Sequence, residues 1–514
     1  MDARSKLNAR PELVERLRAD LALARFTVER VGELLGTEAS AALTRAHRVP
    51  AVRALDLLVE FDPAAVLARL FVLGLPAAIA DVALAFPTLE LEGAMELGLV
   101  GLGDDHCVPL VDLRPYSFTD SWGAAQWWIA SDLGELALGS ALPEDHVLGV
   151  GGASLTLAGL QLGRTSTIAL DLGTGCGIQA LHASRFSGRV IATDISPSAL
   201  EYARFNAALN AITTIEFRLG SMFEPVAGER FDYIVSNPPF VITPRADGVP
   251  AYEYRDGGRV GDAIVAEVIA GAAAHLLPGG VAQLLGNWEY RADEDGLDRI
   301  AGWVDAAGLD GWVIEREVQD AALYAQTWIR DGGTRVGAEF DRLENAWLDD
   351  FEARGVTAVG FGYVLVRARQ ARTEGTAPLR RFERLDGPVG AGLGGSVAAT
   401  LAGYDWQASL DDAALSRARL VVASDVTEER HYWPGDEHPA VMNLRQGGGF
   451  ARSYPLGTAV AAVVGACDGE LSVGAICAAV SELLEVDDTE LMAEVLPTIR
   501  EFVTVGILTR ADPL

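Results

Sequence analysis

The sequence predicts an α/β chain built on a mostly parallel, seven-stranded sheet with helices on both faces, flanked at each end by helical, winged-helix-like domains. Three observations carry this. From Thr167 onward, short apolar runs alternate with helical patterns, and such βα alternation places parallel strands between covering helices. Ile168–Leu172 runs directly into a glycine-spaced turn at 173–177 and a helix from Ile178. A later strand, Phe231–Ser236, ends on Asn237-Pro238-Pro239-Phe240.

The elements come in order. Apolar residues at helical spacing over Pro11–Leu35 and Thr37–Val59 predict amphipathic helices. Asp62-Pro63 starts another, with Asp as cap and Pro in the first turn. Helices near Ala77–Ala85 and Leu91–Leu97 precede a hairpin, Leu99–Gly103 with Cys107–Leu113, which together suggest a winged-helix module over 1–115. Residues 116–165 read as a connecting region with Trp122, Trp127, Trp128 and a glycine-rich strand over Val147–Leu157.

The α/β domain is expected over 166–369. Its strands are Ile168–Leu172, Val190–Thr193, Ile215–Leu219, Phe231–Ser236, Val281–Trp288, Gly311–Val318 and Val356–Arg367, with helices from Ile178, over Pro197–Leu209, Asp262–Leu277 and Asp298–Ala307. An insertion at about 320–355, holding Tyr324, Trp328 and a helix near Val336–Arg354, covers the active site, holds a partner or elaborates the surface. A linker is expected at 370–398. The C-terminal domain, 399–514, opens with poor periodicity and closes with helices at Gly457–Cys467, Val473–Leu484 and Asp488–Thr504 and a strand at Gly506–Arg510.

Composition sets the outer bounds. At 514 residues, half of them hydrophobic and 22% charged, the chain suits a folded protein of several domains. A net charge of −31 argues against a broad phosphate-neutralising surface, although residues 1–60 carry ten basic against nine acidic side chains and are where nucleic acid binding would be sought first. Lys6 is the single lysine. Cys107, Cys176, Cys467 and Cys477 form no CxxC pair, which suits a reducing compartment and leaves no metal site expected. Met1–Ala9 lacks the apolar run of a secretory signal, and Val147–Leu162 is too short to span a bilayer, so a cytoplasmic protein is expected.

Glycines at 173, 175 and 177 allow close ligand approach and backbone angles that other residues resist. Asp194 ends the second strand, 23 residues after Asp171, where an acid accepts both ribose hydroxyls of an adenosyl ligand. Asp171 ends the first strand; a carboxylate there repels a pyrophosphate and suits a methionine moiety, which favours S-adenosylmethionine over a nicotinamide dinucleotide. Some 60 residues later comes the second motif. A planar nitrogen, in an exocyclic amine or a side-chain amide, is a poor nucleophile because its lone pair is delocalised. The Asn237 side-chain oxygen and the Pro238 carbonyl can accept its two N–H bonds, while Phe240 stacks on the planar group and the two prolines stiffen the ridge.

From Asp171 to Phe240 the chain resembles the class I, Rossmann-like methyltransferases with an NPPY or NPPF motif, a group that includes release-factor glutamine methyltransferases and base N-methyltransferases of RNA and DNA. The resemblance covers about 150–290 and implies S-adenosyl-L-methionine as cofactor. By it, Asp171, Gly173, Thr174, Gly175, Gly177, Asp194, Ile195 and Asn237 bind the cofactor and Ser221 and Met222 flank its adenine. Asn237, Pro238, Pro239 and Phe240 hold the acceptor.

The acceptor stays open between a glutamine amide of a protein and a base amine of RNA. Phe240 is similar to the NPPF-type ribosomal-RNA guanine methylases, but Val241 replaces their following histidine. The segment 254–262, Tyr-Arg-Asp-Gly-Gly-Arg-Val-Gly-Asp, is similar to the glycine-rich stretch of glutamine methyltransferases. Val150–Ser154 sits where relatives carry a substrate loop, without matching its residues. The translation machinery is the expected target; a catalytically silent S-adenosylmethionine-binding protein and a DNA adenine N6-methyltransferase are the alternatives.

Overall fold

The computed structural model describes residues 7–139, 142–250, 255–369, 378–387, 389–390 and 392–511. Lys6, Tyr254 of the glycine-rich segment and residues 370–377 of the expected linker lie outside these. The chain forms two compact units: Met1–Ala158 with Thr165–Ala368 and Arg380–Arg384, and Gly159–Arg164 with Arg369–Leu379 and Leu385–Leu514.

The first unit holds an eight-stranded sheet. Its strands are β1 (Ser166–Leu172), β2 (Ser187–Asp194), β3 (Ile215–Leu219), β4 (Phe231–Ser236), β5 (Leu276–Arg291), β6 (Asp310–Asp320), β7 (Val356–Arg367) and β8 (Arg380–Arg384), in spatial order β8-β6-β7-β5-β4-β1-β2-β3. Neighbours from β5 to β3 pair in parallel; β7 runs antiparallel to both β5 and β6. The seven strands read from the sequence are thus all present, in a mostly parallel sheet with β7 antiparallel to its neighbours. Strands β4 and β5 are buried almost throughout. Helices α1 (Ile178–Ala183) and α2 (Pro197–Leu209) pack on β1 to β3, and α3 (Ala263–His275) and α4 (Gly296–Ala306) on β5 to β7.

Four expectations are corrected. The Arg-rich stretch read as linker supplies β8, an eighth strand parallel to β6. Its sequence, Arg-Arg-Phe-Glu-Arg, hides the strand because its charged side chains are taken up by polar partners, Arg384 pairing with Glu315 and Asp295 and Glu383 accepting from Trp312, and only Phe382 packs on the core. Pro11–Leu35 is not one helix: the first ends at Leu23, and Thr27 caps a second by accepting the Arg30 N–H at 3.0 Å. The strand expected over Val147–Leu157 is a helix, Gly152–Leu160, in which Leu155 is 49% exposed and Leu157 fully buried, although a strand would put both on one face.

The connecting region 116–165, finally, contains most of a hairpin, Asp112–Asp120 with Gly123–Ser131. Its second strand docks on α2 through two asparagines one turn apart. Asn206 accepts from the Ala130 N–H at 2.8 Å and donates to the Ala130 and Cys176 carbonyls; Asn210 does the same with both backbone groups of Trp128. These amides satisfy a strand edge that otherwise lacks partners, and each buried bond left unmade would cost about 1–3 kcal/mol. The N-terminal helices share one core with this hairpin and with Cys176, Ile178, Leu181, Tyr202 and Phe205, so the boundary expected near 115 does not separate compact units.

Between β6 and β7, helices α5 (Ala321–Asp331) and α6 (Ala338–Arg354) form the insertion. Asp320 caps α5 by accepting the Leu323 N–H, and Gly355 ends α6 with φ 68°. Tyr324, Ile329, Phe340, Trp347 and Phe351 make a separate core that also takes in Val241 and Ile242.

In the second unit, helices Gly394–Ala408, Thr458–Gly465, Val473–Leu484 and Asp488–Val505 enclose an apolar core. They carry a three-stranded sheet of Arg419–Val422, Asp468–Ser472 and Leu508–Arg510. The stretch of poor periodicity holds a meander, Val426–His431, Val441–Gln446 and Ser453–Pro455, whose mostly exposed strands give no alternating pattern. No described helix in the chain is long and apolar enough to cross a membrane.

Candidate active site

Strand order reverses at β1, whose neighbours β2 and β4 lie on opposite sides, and open α/β sheets bind ligands in the crevice beyond such strand ends. Leu172 of β1 stands beside Ser236 of β4, and the Ser236 hydroxyl donates to the Leu172 carbonyl at 2.8 Å. The glycine loop and Asn237 therefore leave adjacent strand ends.

In the loop, Gly173, Gly175 and Gly177 have φ of 73°, 55° and 91°. A β-carbon at Gly173 or Gly175 would meet no described atom within 4 Å, so both border open space. At Gly177 it would lie 3.1 Å from Cα and Cβ of Ala203, so this glycine serves the approach of α2. The Gly173 and Thr174 N–H groups both donate to the Thr193 carbonyl at 2.9 Å, which fixes the turn against β2.

Asp171 is fully buried. One carboxylate oxygen accepts from the Thr174 hydroxyl at 2.5 Å and the Ala180 N–H at 2.9 Å; the other, Oδ1, accepts no hydrogen bond from a described residue. Burial pushes this carboxyl up to about 7, and the charge of Asp194 adds to the shift against the two hydrogen bonds. Asp194, at the end of β2, accepts from Gly175 N–H at 2.9 Å and Ser196 N–H at 2.8 Å, one per oxygen. Burial raises its carboxyl too.

Ile195 is 65% exposed beside Asp194. Ser221 and Met222 follow β3, both half-buried, with Met222 at φ 49°. The Gly220 N–H donates to the Asp194 carbonyl at 2.9 Å, which brings this turn to the β2 end.

Asn237 is half-buried, and its side-chain oxygen is buried without a hydrogen bond from a described residue. Pro238 is buried; Pro239 and Phe240 are half-buried, the Phe240 ring lying 5.6 Å from that of Phe361. The glycine-rich segment runs alongside: the Gly257 N–H donates to the Pro239 carbonyl at 3.1 Å and the Val241 N–H to the Arg255 carbonyl at 2.8 Å. From the insertion, the Tyr324 hydroxyl accepts the Ile242 N–H at 3.0 Å and the Asn287 Nδ2 at 2.6 Å.

Sequence reading missed Asn287 and the bonding of Tyr324. The available signal was Asn287 itself, one amide inside the apolar run Leu284-Leu285-Gly286-Asn287-Trp288, where an unpaired polar group is costly. Nothing local in the sequence points from Tyr324 to Ile242, 82 residues away.

The family model for the methyltransferase small domain matches residues 151–306. This chain carries a methyltransferase small domain. A second model, a domain of unknown function (DUF7059), matches 23–110. Among curated relatives of the small domain, the release factor glutamine methyltransferase of Xylella fastidiosa is 38% identical over 148 residues, 27% of this chain and 54% of that protein. That of Cereibacter sphaeroides is 41% identical over 152 residues, 27% and 51% of the two chains. The chain spans about half the length of these relatives. Among solved structures, a Thermus thermophilus 16S rRNA N2 G1207 methyltransferase in complex with AdoMet and guanosine is 18% identical with TM-score 0.28, covering 57% of this chain and 64% of that one. The small domain of this chain contains every loop and strand end named above, from Asp171 to Asn287.

Proposed function

We propose that the chain is an S-adenosyl-L-methionine-dependent N-methyltransferase acting on a planar nitrogen of a macromolecule of the translation machinery. The observation that carries it is the buried side-chain oxygen of Asn237, without a partner among the described residues, one strand over from an open glycine loop. A buried acceptor without a donor is costly unless a ligand supplies one.

The residues at the crevice suit the cofactor. Gly173 and Gly175 leave open space, Asp171 Oδ1 lacks a donor, and each Asp194 oxygen keeps a lone pair for a ribose hydroxyl. Ile195, Ser221 and Met222 would border the adenine. When bound, S-adenosylmethionine supplies an electrophilic methyl group. The protein's part is to hold the acceptor: Asn237 Oδ1 and the Pro238 carbonyl take its two N–H bonds, localise the nitrogen lone pair and stabilise the positive charge that develops. Phe240 stacks on the planar group. The proton leaves after transfer.

For the acceptor, a glutamine side-chain amide is favoured by the names of the curated relatives and by the net charge of −31, which suits a protein partner better than RNA. A base amine is the second reading, favoured by phenylalanine at position 240. The deciding experiment is transfer of labelled methyl groups into a cell lysate, followed by separate digestion with RNase and protease. Label released as small peptides is expected; label released only by RNase would reject the glutamine reading.

Asp171 makes cofactor affinity depend on pH. With its carboxyl at about 7, the free protein is half protonated there, and a cationic ligand beside it favours the carboxylate. Binding therefore releases a proton, and affinity should rise about tenfold from pH 6 to pH 8. Calorimetric titrations in buffers of different ionisation enthalpy measure both effects, and Asp171→Asn should abolish the slope.

A further inference from the structure

The insertion meets the chain at and just beyond the acceptor motif: its core packs against Phe240, and the Tyr324 hydroxyl of α5 bonds the backbone of Ile242. Pro238 and Pro239 donate no backbone bond, so the ridge is held through the Pro239 carbonyl, which accepts the Gly257 N–H at 3.1 Å, and through the residues immediately downstream. Val241 donates its N–H to the Arg255 carbonyl, and Ile242 donates its N–H to the Tyr324 hydroxyl at 3.0 Å. The same hydroxyl accepts from Asn287 Nδ2 at 2.6 Å, so it joins β4's extension to β5. Tyr324 is itself fixed, 3% exposed, among the rings of Trp328, Trp347 and Phe351.

Asn287 adds a second observation. It is 1% exposed, and its Oδ1 accepts no hydrogen bond from a described residue. In the parallel register Leu284 stands beside Ser236, so Asn287 lies three residues further along β5, beyond the level of Asn237. Two buried amide oxygens without donors among the described residues thus lie on neighbouring strands, Asn237 just past the end of β4 and Asn287 within β5, and Tyr324 bonds the Asn287 nitrogen and the backbone beyond Asn237.

We infer that Tyr324 and Asn287 are positioning residues for the acceptor, making the 321–354 insertion a working part of the site and not a surface elaboration. Tyr324 fixes the height of the Asn237–Phe240 ridge through Ile242, and Asn287 presents a further acceptor oxygen to a donor on the substrate. This rests on the N-methyltransferase reading. Because the geometry of a bound nucleophile is at stake, small displacements are costly: misplacement by about 1 Å can lower rate about a hundredfold.

The test uses the full chain and Tyr324→Phe, which keeps the ring and removes only the hydroxyl. Three readouts are taken: S-adenosylmethionine affinity by calorimetry, initial rate of labelled methyl transfer into lysate at saturating cofactor, and hydrogen exchange of the peptide containing Ile242. The expected result is affinity within about twofold of wild type, a rate about tenfold lower or worse, and faster exchange at Ile242. Asn287→Ala, which removes both the oxygen and the bond to Tyr324, should likewise lower the rate while leaving cofactor affinity within about twofold. An unchanged rate and unchanged exchange overturn the inference, as does a rate loss matched by an equal loss of cofactor affinity. If the wild type binds cofactor and labels nothing, the methyl-transfer reading fails; unchanged exchange at Ile242 then overturns the positioning role independently.

Discussion

Asn237→Ala is expected to lower methyl transfer by about 10²–10³-fold, the range found when one preorganised group that stabilises transition-state charge is removed. The alanine removes the buried side-chain oxygen at the end of β4 and leaves the Pro238 carbonyl as the remaining acceptor on the ridge. The glycine loop, Asp171 and Asp194 keep their hydrogen bonds, which run to Thr174, Ala180, Gly175 and Ser196 and not to Asn237. Cofactor affinity should therefore change by less than about threefold, since an interaction made chiefly in the transition state alters rate and not ground-state binding. Unchanged transfer would remove Asn237 from the chemistry. A wild-type protein that binds cofactor without transferring its methyl group would instead favour the catalytically silent alternative.

Asp194→Ala should act on the opposite parameter, weakening S-adenosylmethionine binding by about 10–100-fold, as expected for the loss of hydrogen bonds to a charged acceptor worth about 1.5–3 kcal/mol. Two losses combine. The ribose hydroxyls lose their acceptor, and the Gly175 N–H, at 2.9 Å from the carboxylate, loses the partner that shapes the loop. Asp194→Asn keeps one oxygen for the loop or the ribose and should fall between alanine and wild type. Calorimetric titration of the three proteins measures this order; equal affinity for all three would place the cofactor elsewhere.

How far the sequence could be read depends on where each signal resides. Strands β1, β2, β4 and β5 were legible because burial on both faces makes apolar runs, β3 because Ile215, Phe217 and Leu219 alternate with charged residues, and the helices between them by their apolar spacing. Asp171, the glycines, Asp194 and Asn237 were legible because their roles depend on short spacing within strand–turn segments. The features that escaped depend on contacts between distant segments. β8 reads as polar linker because it is an edge strand; the hairpin strand Gly123–Ser131 is completed by Asn206 and Asn210, about 80 residues away. The helix Gly152–Leu160 was misread because glycine and apolar residues alternate over a stretch too short to decide its period. Tyr324 belongs to the same class, since only the fold brings it to Ile242.

Everything proposed for the site turns on the methyl group going to a planar nitrogen held by Asn237 and Pro238. The most direct test lets the wild-type protein label a lysate from S-adenosylmethionine, digests the labelled macromolecule to its monomers with enzymes, which spare side-chain amides, and identifies the methylated atom. The expected product is an amide-methylated glutamine, with an exocyclic N-methyl base as the second reading. Label recovered on a ribose oxygen, a carboxylate, a thiol or an aliphatic amine would contradict a planar-nitrogen acceptor.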